Sequence, residues 1–162
     1  MAAVTETFNR IVGHLEYPMF IVTARVGDEP LGCLVGFTTQ ASINPPRFLI
    51  CLSHTNHTFR RGGDAELFGV HCVPAEREDL ARLFGGETGD EVDKFVRTEW
   101  REGHGGVPLL DGCEDWFVGR VVGRLDAGDH DAYVLEPVAA GWGGQEDFTF
   151  HRAKRIAPGH AP

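Results

Sequence analysis

Neutral hydrogen-bonding side chains are concentrated in one stretch of the chain, between residues 31 and 61. They are hydroxyls and amides, and they belong to Thr38, Thr39, Gln40, Ser42, Ser53, Thr55, Asn56 and Thr58. Such groups can hydrogen-bond an oxygen-rich ligand without the free-energy cost of burying charges. The sequence therefore predicts a binding site for a small polar ligand along this stretch.

The last four of these residues lie where a predicted strand is followed by a short predicted helix. Free amide groups and the helix dipole at such a start favour a phosphate. Arg60 and Arg61 follow closely enough to add charge-assisted hydrogen bonds. In the alternative interpretation, Thr55 or Asn56 only caps the helix, the commonest use of these residue types, and both arginines face solvent. The residues alone leave both interpretations open.

Other kinds of reactive site have no matching pattern. His54 and His57 stand three residues apart, but the remaining histidines are scattered, and neither a C-x-x-C pair nor an H-E-x-x-H motif is present. We therefore predict no metal site. The sequence also contains no arrangement typical of a Ser/His/Asp triad or of paired catalytic carboxylates.

The elements that must position these residues follow from hydrophobic periodicity. Phe8, Ile11, Val12 and Leu15 predict a helix over residues 5–16, which Pro18 ends. Runs rich in β-branched and apolar residues predict strands at 19–26, 31–39, 47–53, 67–73, 116–125 and 130–139. Short helices are expected at 55–61, from Pro74 to Phe84, and at 91–100 with Asp90 as its cap.

Six strands at hairpin spacings with few long helices favour a mainly β fold. The expected architecture is an antiparallel barrel, closed or half-closed, with short helices at its periphery. No repeat or linker divides the chain, so residues 1–162 are expected to form one domain. The barrel is assigned to residues 17–140, and residues 151–162 form a tail.

Composition limits the classes of partner. Fifteen Lys and Arg against 24 Asp and Glu give a net charge of −9, which argues against nucleic acid and anionic membranes. No apolar run approaches the roughly 20 residues of a membrane span, and the N-terminus lacks a signal-peptide pattern. The four cysteines are isolated in sequence, as is typical of reduced thiols. A cytoplasmic location is therefore predicted.

The stretch from Gly32 to Ser53, GCLVGFTTQASINPPRFLICLS, resembles a known signature. It is similar to the short-chain flavin reductases, flavin reductase-like proteins with an FMN-binding split barrel. In that family a Thr/Ser-rich strand end leads through a Ser-x-x-Pro-Pro bend into the next strand. Lys94-Phe95 and Gly128-Asp129-His130 look like two later landmarks in the same order. The resemblance spans residues 17–137, and the order of its motifs is more specific than any one of them.

The resemblance implies a homodimer that binds FMN or FAD and reduces it with NADH or NADPH by hydride transfer. It also implies release of the reduced flavin to a partner monooxygenase. By position, the flavin ring and ribityl chain would contact Thr38, Thr39, Gln40, Ala41 and Ser42. The phosphate would contact Ser53, Thr55, Asn56 and Thr58, with Arg60 nearby. Lys94 and Phe95 would lie near the cofactor pocket, and His130 would be the catalytic residue near flavin or nicotinamide. Gln40 departs from the family, in which a small hydroxyl residue is common there.

Two other functions fit the same residues. One is a non-catalytic FMN-binding electron carrier or sensor, and the other is a flavoenzyme of the same barrel that acts on another small molecule. In each case the flavin carries the redox chemistry and the protein binds, orients and tunes it. Because the glycine-rich dinucleotide fingerprint is missing, a nicotinamide cofactor is expected to bind only transiently over the flavin.

Overall fold

A seven-stranded antiparallel sheet dominates the computed structural model, which describes residues 1–89 and 92–159. In chain order its strands are β1 Phe20–Val26, β2 Glu29–Val35, β3 Thr38–Ser42, β4 Arg47–Ser53, β5 Leu67–Cys72, β8 Trp116–Asp126 and β9 His130–Gly141. A separate two-stranded sheet pairs β6 Trp100–Glu102 with β7 Pro108–Leu110. The predicted mainly β, antiparallel fold is confirmed.

The sheet closes on itself because one segment serves both of its edges. The strand order is β2-β1-β5-β8-β9-β4-β3, so β2 and β3 lie at opposite ends although only Gly36 and Phe37 separate them in sequence. The Cys51 amide donates to the Phe37 carbonyl at 2.9 Å and joins this crossing to β4. The single strand predicted at 31–39 is therefore wrong. It breaks at Gly36, where a Cβ would come within 3.0 Å of the Tyr17 ring.

Two hydrophobic cores lie on the two sides of β1, which alternates between them. Phe20, Val22 and Ala24 point into the barrel, while Ile21 points outward. The barrel interior also contains Leu31, Cys33, Val35, Ile50, Leu52, Phe68, Val70, Tyr133 and Leu135. The outer core contains Met19, Val73, Leu80, Ala81, Phe84, Phe95, Leu110, Cys113 and Phe148. Near-continuous apolar sequence in β1 is thus explained by burial on both faces.

The helices cover the outside of the barrel. They are α1 Ala2–His14, α2 His57–Gly62, α3 Glu78–Gly86 and α4 Phe150–Ala153, with 3₁₀ turns at Lys94–Val96 and His104–Gly106. The amphipathic pattern of α1 is present, but Phe8 and Ile11 are each 59% exposed. None of the helices within the described ranges is both long and apolar enough to cross a lipid bilayer.

The helix predicted at 91–100 is wrong. Within residues 92–100 only Lys94–Val96 is helical, as a 3₁₀ turn capped by Asp93, whose carboxylate accepts the Phe95 amide at 3.0 Å. Trp100 already belongs to β6. The proposed cap at Asp90 lies outside the described residues. The apolar residues of this segment pack individually, as Phe95 does against Phe84. Their helix-like spacing in the sequence is therefore not caused by a helix.

A buried histidine links the barrel to β7. Leu110 donates its amide to Nε2 of His71 at 3.1 Å, so Nδ1 carries the proton and donates to the Ile21 carbonyl at 3.0 Å. Protonation of Nε2 would break the first of these bonds inside the core. Burial accordingly lowers the pKa of His71 to about 4 from its ordinary value of 6.5. The neutral ring is therefore part of the folded structure.

We predict that this ring makes stability fall in acid. Because the folded pKa is depressed, its contribution is complete above pH 6.5 and is lost as pH falls toward 4. The difference in unfolding free energy between wild type and His71→Asn should shrink by roughly 3 kcal/mol across this window. Urea unfolding at several pH values measures it, with the exposed His151→Gln as control. A difference that stays constant with pH would contradict the assignment.

Candidate functional site

The end of β4 and the start of β9 bring the first two candidate residues together. Ser53 and His130 are register partners and form the last pair of the β4–β9 ladder. Register partners in an antiparallel pair project from the same face. The two side chains open into a cavity of about 110 Å³, which is lined by Cys33, Leu34, Val35, Gly36, Phe37, Cys51, Leu52, Ser53, Asn56 and His130. The β2–β3 crossing thus forms one wall of this cavity.

His130 is held on two sides. Its Nδ1 lies 2.6 Å from a carboxylate oxygen of Asp129, and its ring centroid lies 5.0 Å from that of Phe37. The hydrogen bond to His130 lowers the pKa of the Asp129 carboxyl. Because Asp129 occupies Nδ1, Nε2 is the nitrogen that can face a ligand. Sequence reasoning missed Phe37, an aromatic residue between two strands that the structure leaves exposed.

The turn that leads into α2 satisfies its own amides. Asn56 caps the helix, since its side-chain oxygen accepts the Thr58 amide at 2.8 Å. The Asn56 amide donates to the Ser53 carbonyl at 3.0 Å, and the Thr55 amide donates to Ser53 Oγ at 3.4 Å. The capping interpretation therefore describes this turn. What it offers to a ligand is hydroxyl groups, because Ser53 Oγ and Thr55 Oγ1 lie 3.0 Å apart at its surface.

Thr58 does not share that surface. It is 1% exposed and packs beneath the turn, where its hydroxyl hydrogen-bonds the thiol of Cys33. A direct contact between Thr58 and a phosphate has no support in this geometry, and we replace it with a packing role. Burial raises the pKa of the Cys33 thiol and that of Cys51 as well, so both cavity cysteines stay protonated and unreactive.

The strand β3 carries the next group of candidates on an open edge. Thr39, Gln40 and Ala41 are exposed, while Thr38 and Ser42 are partly buried. A register shift between Gln40 and Ser42 leaves Ala41 outside the ladder with β4. The Gln40 side chain only reaches the Ser42 carbonyl, at 3.4 Å. These residues therefore present polar groups to a ligand or to a second molecule.

The arginines after the turn do not form a joint clamp. Arg61 donates to Glu29 at 2.5 Å, and the pKa of that carboxyl is lowered chiefly by this hydrogen bond. His57 Nε2 lies 3.6 Å from the other oxygen of Glu29. Arg60 is exposed on the same helix. Arg61 is thus committed to β2.

Lys94 and Phe95 belong to a different cavity. Both are buried, and Lys94 Nζ donates to the Phe84 carbonyl at 3.0 Å and to the Gly32 carbonyl at 3.3 Å. Its desolvation lowers the pKa of the ammonium group. The two residues line a space of about 290 Å³ with Glu29, Pro30, Leu31, Gly32, His57, Gly89, Val92 and Asp93. Asn56 and His57 also line a cavity of about 20 Å³ together with Lys94. The turn before α2 therefore lies between the 110 Å³ cavity and the 290 Å³ cavity.

One group of potential metal ligands was not evident from sequence spacing. His54, Asp126 and Asp131 place one ligand atom each within 4.8 Å of one another. However, Asp131 already accepts from His54 at 2.8 Å and from the Arg124 guanidinium at 2.7 Å. A guanidinium on the same carboxylate opposes a second cation there.

Comparison with known proteins matches this arrangement to a family. The model of the flavin reductase like domain matches residues 12–157. The chain is 30% identical over 138 residues to the FMN reductase (NADH) RutF of Ancylobacter novellus. The aligned region covers 83% of this chain and 75% of that protein. It is 28% identical over 138 residues to the 4-hydroxyphenylacetate 3-monooxygenase reductase component of Pseudomonas aeruginosa, covering 81% of this chain and 78% of that one.

Solved structures agree. The NADH:FAD oxidoreductase SgcE6 of Streptomyces globisporus C-1027 superposes with a TM-score of 0.81 at 27% identity, covering 90% of this chain and 88% of that one. Some relatives are longer. The chain matches a probable flavin reductase of Rhizobium meliloti at 26% identity over 67% of this chain, but it spans only 35% of that protein's length.

Proposed function

The chain belongs to the flavin reductase like domain family, and from this premise we propose that it is an NAD(P)H-dependent flavin reductase. The reaction is hydride transfer from a nicotinamide cofactor to FMN or FAD. The observation that carries the proposal is the cavity in which Ser53, Asn56 and His130 meet beside the exposed strand β3. Neutral donors, an aromatic ring and one histidine suit a polar ligand with a flat ring system.

The residues present fit a flavin by their chemistry. Hydroxyls of Ser53 and Thr55, with the Arg60 cation on the next helix, suit the phosphate. The polar side chains of Thr38, Thr39, Gln40 and Ser42, with Ala41 among them, suit the ring and the ribityl chain. A bound flavin supplies the redox chemistry, since it takes up the hydride. The protein needs only to bind, orient and shield the reactants.

His130 is the proposed catalytic residue. Asp129 fixes its ring through Nδ1, which leaves Nε2 as a positioned hydrogen-bonding atom at the cavity wall. With Nδ1 donating to the Asp129 carboxylate, Nε2 of the neutral imidazole is an acceptor, and we assign it to orienting an N–H group of the bound flavin or nicotinamide. Phe37 keeps the imidazole from swinging out, because the two rings are in contact.

The charges around the turn favour a flavin that exchanges with solution. Arg61 faces Glu29. This pair neutralises a cation that would otherwise attract the flavin phosphate. Weak electrostatic attraction favours rapid exchange, which suits a reductase better than a tightly loaded electron carrier.

The donor and the partner are proposed from the named relatives. Two of the proteins described above carry NADH in their names, which supports NADH as the hydride donor. One relative is the reductase component of a monooxygenase, which supports transfer of reduced flavin to a monooxygenase partner. A cytoplasmic location stays a prediction from the unpaired cysteines.

We also propose a homodimer and a single domain over the whole chain. The apolar face of α1, formed by Val4, Phe8 and Ile11, is open to solvent, as is Trp142 at 85% exposure. The β3 edge beside the cavity is open as well. A second copy is the occupant that the family resemblance implies for such surfaces.

Turnover gives the first test. NADH oxidation by the purified chain should depend saturably on free FMN or FAD, followed by absorbance of the nicotinamide. His130→Ala should lower kcat/KM for the flavin by about tenfold or more, because one positioned hydrogen-bonding group is lost. His151→Ala, an exposed histidine far along the chain, is the control. Nucleotide oxidation that ignores added flavin would refute the proposal.

Phosphate recognition gives the second test. Replacing both Ser53 and Thr55 with Ala should weaken FMN binding by about tenfold and leave riboflavin binding nearly unchanged. The reason is that their hydroxyls are assigned to the phosphate, which riboflavin lacks. Fluorescence titration measures both ligands, and Thr58→Ser serves as a control beneath the turn. Equal losses for the two ligands would contradict the assignment.

Association gives the third test. Sedimentation velocity at micromolar concentration should show a dimer for wild type. Phe8→Glu combined with Ile11→Glu should shift it toward monomer, because charges would replace an apolar contact face. Thr5→Glu on the same helix serves as the control for added charge. A monomeric wild type would disprove the dimer.

A further inference from the structure

A second pair of side chains joins β4 and β9 directly next to the cavity. His54 follows Ser53 and Asp131 follows His130, so each cavity residue has a neighbour in the other pair. His54 Nε2 lies 2.8 Å from Asp131 Oδ1. The link is local in space although 77 residues separate its partners in the chain.

Asp131 also ties in a third strand. Its other oxygen accepts from Arg124 Nε of β8 at 2.7 Å, and Arg124 continues to Asp64 at 2.7 Å. The guanidinium lies 5.0 Å from the ring centroid of Tyr133, whose hydroxyl donates to the Gly63 carbonyl. Asp131 is buried, and both of its oxygens are therefore engaged. It connects the end of β4, the hairpin β8–β9 and the segment after α2.

This position matters because strand ends open most readily. Ser53 and His130 are the terminal pair of their ladder, and beyond them the His54 amide donates to the Asp129 carbonyl at 2.9 Å. The His54 ring also packs on Phe59 of α2, with centroids 4.8 Å apart. The His54 imidazole thus bonds to Asp131 of β9 and packs on Phe59 of α2, which holds the ladder end and the helix together.

We propose that Asp131 is a positioning residue, which fixes the separation of Ser53 and His130 through its bond to His54. The proposal rests on the proposed function, because it concerns turnover in that cavity. Asp131 is not among the residues that line the cavity, so its effect on the reaction passes through His130. The signature of this role is dependence on His130.

A double-mutant comparison tests that dependence. Asp131→Asn should lower kcat/KM for the flavin by about tenfold in wild type, since one charge-assisted hydrogen bond is lost. It should cause little further loss in the His130→Ala background. Glu136→Gln is the matched control: Glu136 lies on the same strand and also faces arginines, Arg47 at 3.2 Å and Arg120. This control should leave kcat/KM unchanged.

Variants of His54 separate positioning from folding. His54→Gln keeps an N–H donor toward Asp131 and should retain most of the activity. His54→Phe keeps a ring against Phe59 but has no donor, and it should lose as much as Asp131→Asn. Circular dichroism at the assay temperature reports the folded fraction of each variant.

Each outcome decides the proposal. Equal losses from Asp131→Asn with and without His130 would overturn it, because a general loss of folded protein lowers both rates by the same factor. Equal activity of the Gln and Phe variants at His54 would overturn it too. So would stabilisation of wild type by Zn²⁺ that Asp126→Asn abolishes, since Asp131 would then be a metal ligand. If wild type shows no flavin-dependent oxidation of NADH, the proposed function itself has failed.

Discussion

The arrangement of this protein depends on the segment from β2 to β3, whose two strands form the two opposite edges of one sheet. Because only two residues connect these edge strands, the two edges must lie close together. A flat sheet cannot meet this condition, so the sheet curls. Curling places β4 between β3 and β9, and this order puts Ser53 opposite His130. The cavity between them, the cap at Asn56 and the support from Asp131 all follow from that one closure.

Electrostatics explains how an acidic protein can hold an anionic ligand. The net charge of −9 repels anions at long range, so attraction must come from local donors. Around the turn the structure pairs cations with carboxylates and leaves hydroxyls uppermost. Hydrogen bonds from neutral groups are short-ranged and are hardly screened by salt. The proposed ligand recognition thus depends on geometry more than on charge.

Much of the fold could be predicted from the sequence, since runs of β-branched and apolar residues bounded by turn residues located most strands of the barrel. The segment 91–100 could not, because its apolar residues meet a helical spacing while packing one by one. The break at Gly36 depends on Tyr17, a neighbour only in the folded chain. At the site, the hydroxyl-rich stretch and His130 were visible in sequence. The partners of Thr58, Lys94 and Asp131 were not, because contacts over long separations leave no trace in spacing.

The exposure of β3 affects how proteins of this kind diverge. Thr39, Gln40 and Ala41 contribute nothing to either hydrophobic core, so their replacement costs the barrel little. We propose that these residues contact the flavin, and because they do not pack in the interior, single substitutions there can change ligand preference one at a time. On β3, ligand specificity can therefore evolve without a loss of fold stability.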